Sequence, residues 1–230
     1  MAAVQGEVRA SVLRATARVA SPWKNGGGVT REVAAQRPAR RAGDVAASAL
    51  HDAFLWRVSV ADVAAAGPFS RFDGVDRTLV LLDGGGMVLE EAAGAKHVLV
   101  RPLDVARFAG EASIDARLTN GPTRDFNLMV RRAAVSATLD IWRGPTQRTL
   151  DADVVLLYCA SGHASVMLDC DRHYALAQDD ALRIDAPRID APRALRCTAT
   201  GAAALIVVQL RLLRDRRDAS AEEPNEPNGR

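Results

Sequence analysis

The sequence predicts an all-β protein of the barrel or sandwich type. Short segments with strand-like alternation recur along the chain, and turn signals separate them at intervals of about 8–12 residues. No long amphipathic helical pattern competes with this interpretation. The 230 residues are enough for one large or two small domains.

The first strands are predicted at residues 12–20 and 29–34. In the second of them, Thr30 and Glu32 lie on one face and Arg31 lies on the other, between valines. The sequence does not fix which of these faces is turned inward, because a shift of one residue exchanges the two faces.

The clearest strand covers residues 54–60, where Trp56, Val58 and Val60 share one face. Arg57 and Ser59 share the opposite face. Two interpretations of this polar face remain open: it faces solvent, or it points into a polar cavity.

The next strand is predicted at residues 77–82, beginning with Arg77 and too apolar for a sheet edge. It ends in three glycines, residues 84–86, which we interpret as a hairpin turn before a return strand at residues 87–91. A dense turn cluster at residues 119–125 precedes a strand at 126–132, which contains Asn127.

The second half of the chain continues with short strands, and a turn at Ser161 and Gly162 separates two of them. The predicted strands cover residues 135–142, 154–158, 163–168, 173–176, 181–184, 195–198 and 203–212. Residues 215–230 are polar and contain two prolines, which predicts a disordered tail.

Composition excludes several classes of function. The net charge of +2 comes from interleaved acids and bases, which argues against a nucleic-acid groove. The longest apolar runs are far shorter than the roughly 18 residues of a membrane span. Three widely spaced cysteines and the lack of a secretory signal indicate reduced thiols and a cytoplasmic location.

The sequence shows no pattern for a metal or a nucleotide cofactor. Its four histidines are scattered singly, whereas a metal site needs several convergent ligands. The one lysine near a glycine run, Lys24, precedes the glycines, and a P-loop requires the opposite order. No nucleophile elbow is present either. We therefore expect no cofactor, no bound metal and no catalytic nucleophile.

The most unusual stretch covers residues 22–32, Pro-Trp-Lys-Asn-Gly-Gly-Gly-Val-Thr-Arg-Glu. Ordering three consecutive glycines costs more backbone entropy than any other choice, so the stretch needs a reason. One reason is a tight turn. The other is a binding edge, with cationic groups from Lys24 and Arg31 and both donors and acceptors from Asn25.

Polar residues on otherwise apolar strands form the candidate site. If the strands close into a barrel, one face of each strand lines the interior, and a site with lysine, arginine and amide groups suits a small carboxylate. The predicted ligand-binding residues are Lys24, Asn25, Thr30, Glu32, Arg57, Ser59, Arg77 and Asn127.

Five motifs in order carry a family resemblance. They are the stretch at 22–32, Trp-Arg-Val-Ser at 56–59, Gly-Pro-Phe-Ser-x-Phe at 67–72, Asp-Arg-Thr at 76–78, and Asn-Gly-Pro-Thr-Arg-Asp-Phe-Asn-Leu-Met at 120–129. Together they resemble the HutD/Ves family. The resemblance covers residues 12–132 and continues more weakly to residue 213.

This resemblance implies a bicupin, in which two antiparallel, jelly-roll-like β-barrels pack together. We expect the barrels at residues 1–115 and 116–214. The family lacks the His-x-His metal motif of other cupins, as this sequence does. It is linked to histidine utilisation, which implies a small acidic ligand such as formylglutamate and a modulating role.

Two function classes remain. The first is a non-enzymatic small-carboxylate-binding protein that modulates histidine utilisation. The second is a metal-independent cupin enzyme, an isomerase or lyase, with Glu32 as general base and Lys24 or Arg57 stabilising an oxyanion. We expect a small carboxylate as the partner and neither nucleic acid nor membrane, while a homodimer stays open.

Overall fold

The structure, a computed structural model, describes residues 8–23, 25–38, 53–169, 171–186 and 195–213. Within these ranges the chain forms 18 β-strands, one 3₁₀ turn at Ala15–Ala17 and no α-helix, which confirms the all-β prediction. No helix in the described ranges has the length and apolar character needed to cross a membrane. Lys24 and the predicted tail at 215–230 lie outside the described residues.

The first half of the chain forms two antiparallel sheets. Its strands are β2 Ala20–Pro22, β3 Gly28–Gln36, β4 Trp56–Val63, β5 Gly67–Pro68, β6 Val75–Gly84, β7 Met87–Glu91, β8 Lys96–Leu99, β9 Val105–Ala109, β10 Ile114–Leu118 and β11 Thr123–Arg131. A six-stranded sheet has the order β2-β3-β4-β11-β6-β9, and a four-stranded sheet has the order β5-β10-β7-β8.

The second half forms an eight-stranded antiparallel arrangement that includes a strand from the start of the chain. Its strands are β1 Arg9–Leu13, β12 Val135–Arg143, β13 Thr146–Leu150, β14 Val154–Leu168, β15 Arg172–Ala177, β16 Ala181–Asp185, β17 Leu195–Thr200 and β18 Ala203–Leu212. The strand from the start of the chain, β1, pairs with β16.

The strand pairing bears on where the two halves divide. The expected boundary between residues 115 and 116 falls inside β10, and β10 and β11 both pair with strands of the first half. The change of partners therefore comes after β11, and β1 joins the second set of strands. The division into two barrel domains itself stays a prediction.

The predicted turn at Ser161 and Gly162 is wrong, because β14 continues through it. The register of β14 against β18 shifts between Cys159 and Ser161, which is the signature of a β-bulge. Gly162 has a φ of 74°, and a Cβ there would stand 2.0 Å from the carbonyl oxygen of Ala202. The glycine therefore marks a bulge inside a long strand, an arrangement that the local sequence does not distinguish from a turn.

Alternation along the strands of the six-stranded sheet separates two environments. The outer face packs against the second half in a shared core, formed by Trp56, Val58, Val60, Phe126, Leu128 and Val130 with Leu156, Tyr158, Ile206, Val208 and Leu210. The inner face packs against the four-stranded sheet in a first core, formed by Ala61, Val63, Leu79, Leu81, Ala106 and Phe108 with Met87, Leu89, Leu99, Ile114 and Ala116. The inner face also carries the polar residues.

Candidate functional site

A layer of polar side chains lies on the inner face of the six-stranded sheet. We call it the polar layer, and it consists of Arg57, Ser59, Arg77, Thr123, Asp125 and Asn127. Strand register places Ser59 opposite Asn127, and it places Arg57 and Arg77 on either side of Met129. Of the eight predicted site residues, Arg57, Ser59, Arg77 and Asn127 thus share one face of the sheet.

The pairing of β3 with β4 settles which face of β3 belongs to this side. Thr30 pairs with Ala61, and Glu32 pairs with Ser59, so both lie on the inner face. Arg31 pairs with Val60, and its guanidinium contacts the Asp62 carboxylate on the opposite side. Glu32 sits near the surface, where its carboxylate lies 3.4 Å from Arg37.

The glycine-rich stretch forms the turn between β2 and β3. The backbone N–H of Trp23 donates to the Gly28 carbonyl at 2.9 Å, and that of Gly26 donates to the Trp23 carbonyl at 3.0 Å. Asn25 is exposed, and its Oδ1 accepts from the Gly27 N–H at 3.1 Å. These contacts explain the glycines as a turn. A binding role for Asn25, and for Lys24 outside the described residues, stays a prediction.

Arg77 is almost completely buried, with 7% of its surface exposed. Its guanidinium carbon lies 5.1, 5.8 and 5.0 Å from the ring centres of Phe69, Phe72 and Phe108, and Nη1 donates to the Ser70 carbonyl at 3.3 Å. Burial lowers the pKa of Arg77 to about 10, Asp125 opposes that shift, and Arg57 adds to it. A cation is therefore held inside the protein by an aromatic cage.

Arg57, the second cation of the polar layer, is partly buried. Its guanidinium carbon lies 5.5 Å from the centre of the Phe54 ring, and its Nη2 lies 3.5 Å from the sulfur of Met129. Arg57 and Arg77 are close enough for the charge of one to lower the pKa of the other. Two like charges this close disfavour each other's charged form.

Asp125 is the site residue that the sequence reasoning missed. Strand pairing places Asp125 between Ala61 of β4 and Leu81 of β6, and only 1% of its surface is exposed. Burial raises the pKa of Asp125 to about 7, Arg77 opposes that shift, and Asp62 on the outer face adds to it. The sequence assigned Asp125 to the predicted turn at 119–125, whereas β11 already begins at Thr123.

Several buried atoms of the polar layer have no hydrogen-bond partner among the described residues. They are Arg77 Nε, Thr123 Oγ1, Asp125 Oδ1 and Asn127 Oδ1. Buried polar atoms are paired in the great majority of cases, so their concentration on one inner face needs an explanation. A bound polar molecule would supply the missing partners.

The second half also holds two buried polar groups, Asp180 and the Tyr158 hydroxyl, and these are paired with Arg14 and Asp179. Its core consists of apolar side chains and two buried thiols, Cys159 and Cys197, whose pKa values burial raises to about 11 and about 12. Two clefts of about 330 and 500 Å³ lie on its surface, one lined by Trp142 and Arg148 and the other by Arg148 and Arg196. Their lining residues belong to β12, β13, β17 and β18, not to the polar layer.

In the described ranges no three or more His, Cys, Asp or Glu side chains are grouped closely enough to hold a metal ion. The polar layer instead combines two guanidinium groups with one buried carboxyl, an amide and two hydroxyls. Guanidinium groups recognise planar anions through paired N–H donors. The donor set therefore fits an organic anion.

The profile of the family described as HutD matches residues 15–207, which is most of the chain. This chain belongs to the HutD family. A Pseudomonas putida relative, an uncharacterised 21.2 kDa protein in the hutC 3′ region, is 34% identical over 175 residues that cover 76% of this chain and 86% of the relative.

Solved structures agree with this HutD assignment. A conserved protein of unknown function from Pseudomonas aeruginosa is 30% identical with a TM-score of 0.77, and HutD from Pseudomonas fluorescens is 30% identical with a TM-score of 0.73. Each comparison covers 90% of this chain and 100% of the other. YlbA from Escherichia coli, 10% identical with a TM-score of 0.60, shares the fold, which is of the cupin type.

Proposed function

We propose that this HutD-family protein binds a small carboxylate at the polar layer and modulates histidine utilisation without catalysing a step of it. The observation that carries the proposal is the charge of the inner face. Two guanidinium groups, Arg57 and Arg77, share it with one buried carboxyl group, Asp125, whose pKa is raised to about 7.

At neutral pH these three groups sum to a positive charge, because the two arginines stay protonated while Asp125 is only partly ionised. Charge inside a protein is expensive unless a partner neutralises it. A carboxylate beside the Arg77 guanidinium would offset its charge, and Arg77 Nε has no hydrogen-bond partner in the described part of the chain. The aromatic cage keeps that guanidinium in place before a ligand arrives, which lowers the ordering cost of binding.

The comparisons support this assignment of ligand class and pathway. The relatives carry the names HutD and hutC 3′ region, which connect the family with histidine utilisation. The Pseudomonas fluorescens HutD structure represents a formate condition, and formate is the smallest carboxylate. In this chain the motif residues Arg57, Ser59, Arg77 and Asn127 lie together on the inner face.

The test is a thermal-shift titration with formylglutamate, urocanate, glutamate and formate. A ligand that binds only the folded state stabilises it by mass action, by about 2.7 kcal/mol at 100 times its Kd. For a protein of this size that corresponds to a rise in Tm of roughly 5–10 °C. No shift at millimolar concentration for any of the four would refute the proposal.

A variant pair locates the binding. Arg57→Ala should weaken binding by roughly 10- to 100-fold, because it removes a charge-assisted contact. Arg101→Ala is the matched control, since it removes the same side chain from an exposed position away from the polar layer. Equal affinities for the two variants would place the ligand elsewhere, and loss of a cooperative melt in Arg57→Ala would assign that residue a structural role.

One observation favours the enzymatic alternative. A carboxyl group with a pKa near 7 is suited to general acid–base catalysis, and Asp125 has that property. Glu32 is the base expected from the sequence, and it lies on the same face but close to the surface. Turnover of any ligand, abolished by Asp125→Asn or by Glu32→Gln, would establish the enzyme.

A further inference from the structure

The second half contains a cleft beside two free strand edges. Among the described strands, β12 pairs only with β18 and β13 pairs only with β17, so each of them leaves one edge open. The cleft has a volume of about 330 Å³, and its polar and aromatic lining consists of Asp140, Trp142, Arg148, Thr149 and Gln209. It therefore joins residues of β12, β13 and β18 in one concave surface that is separate from the polar layer.

Strand register shows that two charged residues of this cleft share a face with the core of the second half. Asp140 pairs with Val207, and Arg148 pairs with Cys197. Both partners belong to that core, and residues directly opposite each other lie on the same face of a sheet. Trp142, two residues beyond Asp140, lies on this face as well and packs against the same core.

The two charged residues of the cleft are not used by each other. In the described part of the chain, Asp140 and Arg148 form no ion pair, and the Asp140 carboxylate accepts no hydrogen bond. Arg148 Nη1 donates to the carbonyl of the neighbouring Gln147 at 2.9 Å. A cation and an anion thus line one cleft of about 330 Å³ without neutralising each other.

The indole of Trp142 differs from the other two tryptophan side chains. Trp23 Nε1 donates to the Thr30 hydroxyl at 2.7 Å, and Trp56 Nε1 donates to Gln36 at 2.9 Å. Trp142 donates to no group within the described residues, and its side chain is half-buried. The cleft therefore offers a flat apolar surface between an acid and a base.

We propose that this cleft binds a free α-amino acid with an aromatic side chain. Arg148 binds the carboxylate, Asp140 binds the ammonium group, and the ring of the ligand packs on Trp142. A simple anion would pair with Arg148 but would be repelled by Asp140, and a simple cation would meet the opposite difficulty. A zwitterion carries both charges on one carbon and pairs with both residues.

This second site is independent of the proposed function. It lies on strands of the second half, and its ligand must carry an ammonium group, which N-formylglutamate lacks. The two sites are therefore distinguished by ligands as well as by residues.

The experiment compares three ligands that differ in one charged group at a time. L-Phenylalanine carries both groups, 3-phenylpropionate lacks the ammonium group, and 2-phenylethylamine lacks the carboxylate. Two-dimensional ¹⁵N–¹H NMR of the full chain follows the indole N–H signal of Trp142, which Trp142→Phe assigns among the three tryptophans. Phenylalanine should shift this signal in a saturable way at millimolar concentration, and each analogue should bind at least about tenfold more weakly.

Two variants test the assigned roles separately. Asp140→Asn should reduce the preference for phenylalanine over 3-phenylpropionate to less than about twofold and keep the preference over 2-phenylethylamine. Arg148→Gln should do the reverse. Both residues are exposed, so the fold should tolerate these changes. Asp115→Asn and Arg101→Gln, the same changes at exposed positions of the first half, should preserve both preferences.

Three results would overturn the inference. They are an unmoved Trp142 signal at saturating phenylalanine concentration, equal affinity for phenylalanine and either analogue, and preferences that survive both Asp140→Asn and Arg148→Gln. None of them bears on carboxylate binding at the polar layer, which the Arg57→Ala titration tests by itself.

Discussion

At the scale of single residues, the position of Asp125 most needs an explanation. A core selected for stability alone would not contain a carboxyl group between Ala61 and Leu81 with only 1% of its surface exposed. Burial raises the pKa of Asp125 to about 7, which means that the folded state favours its protonated form. Its presence reduces stability at neutral and higher pH, and such a cost is typical of a functional group.

This cost predicts how stability depends on pH. Because the folded pKa of Asp125 lies above its unfolded value near 3.8, its contribution is most favourable below pH 4 and is lost as the pH rises through 7. Asp125→Asn should therefore gain about 2–3 kcal/mol of unfolding free energy relative to the wild type between pH 5 and pH 8.

Urea denaturation of both proteins at the two pH values measures this difference. Asp115→Asn, which changes an exposed carboxylate on β10, controls for the loss of one negative charge. A constant difference between wild type and Asp125→Asn from pH 5 to pH 8 would mean that the buried carboxyl does not titrate in this range.

At the scale of elements, the turn between β2 and β3 determines where β3 begins, and β3 carries Thr30 and Glu32 on the inner face. Gly28 pairs with Val63, and a Cβ on Gly28 would stand 2.6 Å from the Asp62 carbonyl oxygen and 3.2 Å from the Trp23 ring. A Cβ on the neighbouring Gly27 would stand 3.3 Å from Asn25 Oδ1, the end of an exposed side chain. Close backbone approach therefore requires glycine at position 28 but not at position 27.

Two neighbouring substitutions test this difference. Gly28→Ala should destabilise the fold by about 2–3 kcal/mol, because rigid backbone and a packed ring must move. Gly27→Ala should cost less than about 1 kcal/mol, since the Asn25 side chain can rotate away. Thermal or urea unfolding of both variants gives the comparison, and equal costs would show that the Gly28 contact yields easily.

The two faces of β4 could be predicted from sequence, because apolar and polar residues alternate over residues 56–60. Trp56, Val58 and Val60 required one buried face, and Arg57 and Ser59 consequently share the other. The hairpin predicted between residues 77–82 and 87–91 is wrong, because β6 and β7 lie in different sheets. The orientation of β3 could not be predicted, because it depends on pairing with β4 rather than on its own sequence. Asp125 was missed because Asn120, Gly121 and Pro122 are strong turn residues, and they concealed a strand that begins directly after them.

The aromatic cage around Arg77 could not be predicted from the local sequence. Phe69 and Phe72 were recognisable as motif residues, but nothing local relates them to Arg77 or to Phe108. Their contact is produced by the pairing of β6 with β9 and by the loop that packs over it. Residues that meet only through tertiary packing leave no trace in local periodicity.

At the scale of the whole molecule, the two halves share a core and a polar contact. The ring centres of Phe126 and Tyr158 are 5.1 Å apart across the shared core. At its edge, the Tyr158 hydroxyl donates to Asp179 at 2.5 Å, and Arg124 Nη1 donates to the same carboxylate at 2.9 Å. Arg124 directly precedes Asp125 on β11, so this contact also holds the strand that carries the site.

The shared core predicts that both halves unfold together and that Asp179 contributes to their joint stability. Asp179→Asn should lower the unfolding free energy by roughly 1–3 kcal/mol, because Arg124 loses a charged partner while asparagine still tolerates the φ of 71°. Asp171→Asn, on an exposed residue of the second half, should change it by less than about 0.5 kcal/mol. Calorimetry should show one transition for all three proteins, and two separated transitions would contradict a shared core.

In our proposal, an organic anion binds on the inner face of the first half, beside two arginines and Asp125. A crystal structure of the protein with N-formylglutamate tests it most directly. We expect the ligand carboxylate within about 3 Å of a guanidinium nitrogen of Arg57 or Arg77. A ligand bound instead in the surface cleft at Trp142 and Arg148, with the polar layer unoccupied, would contradict the claim.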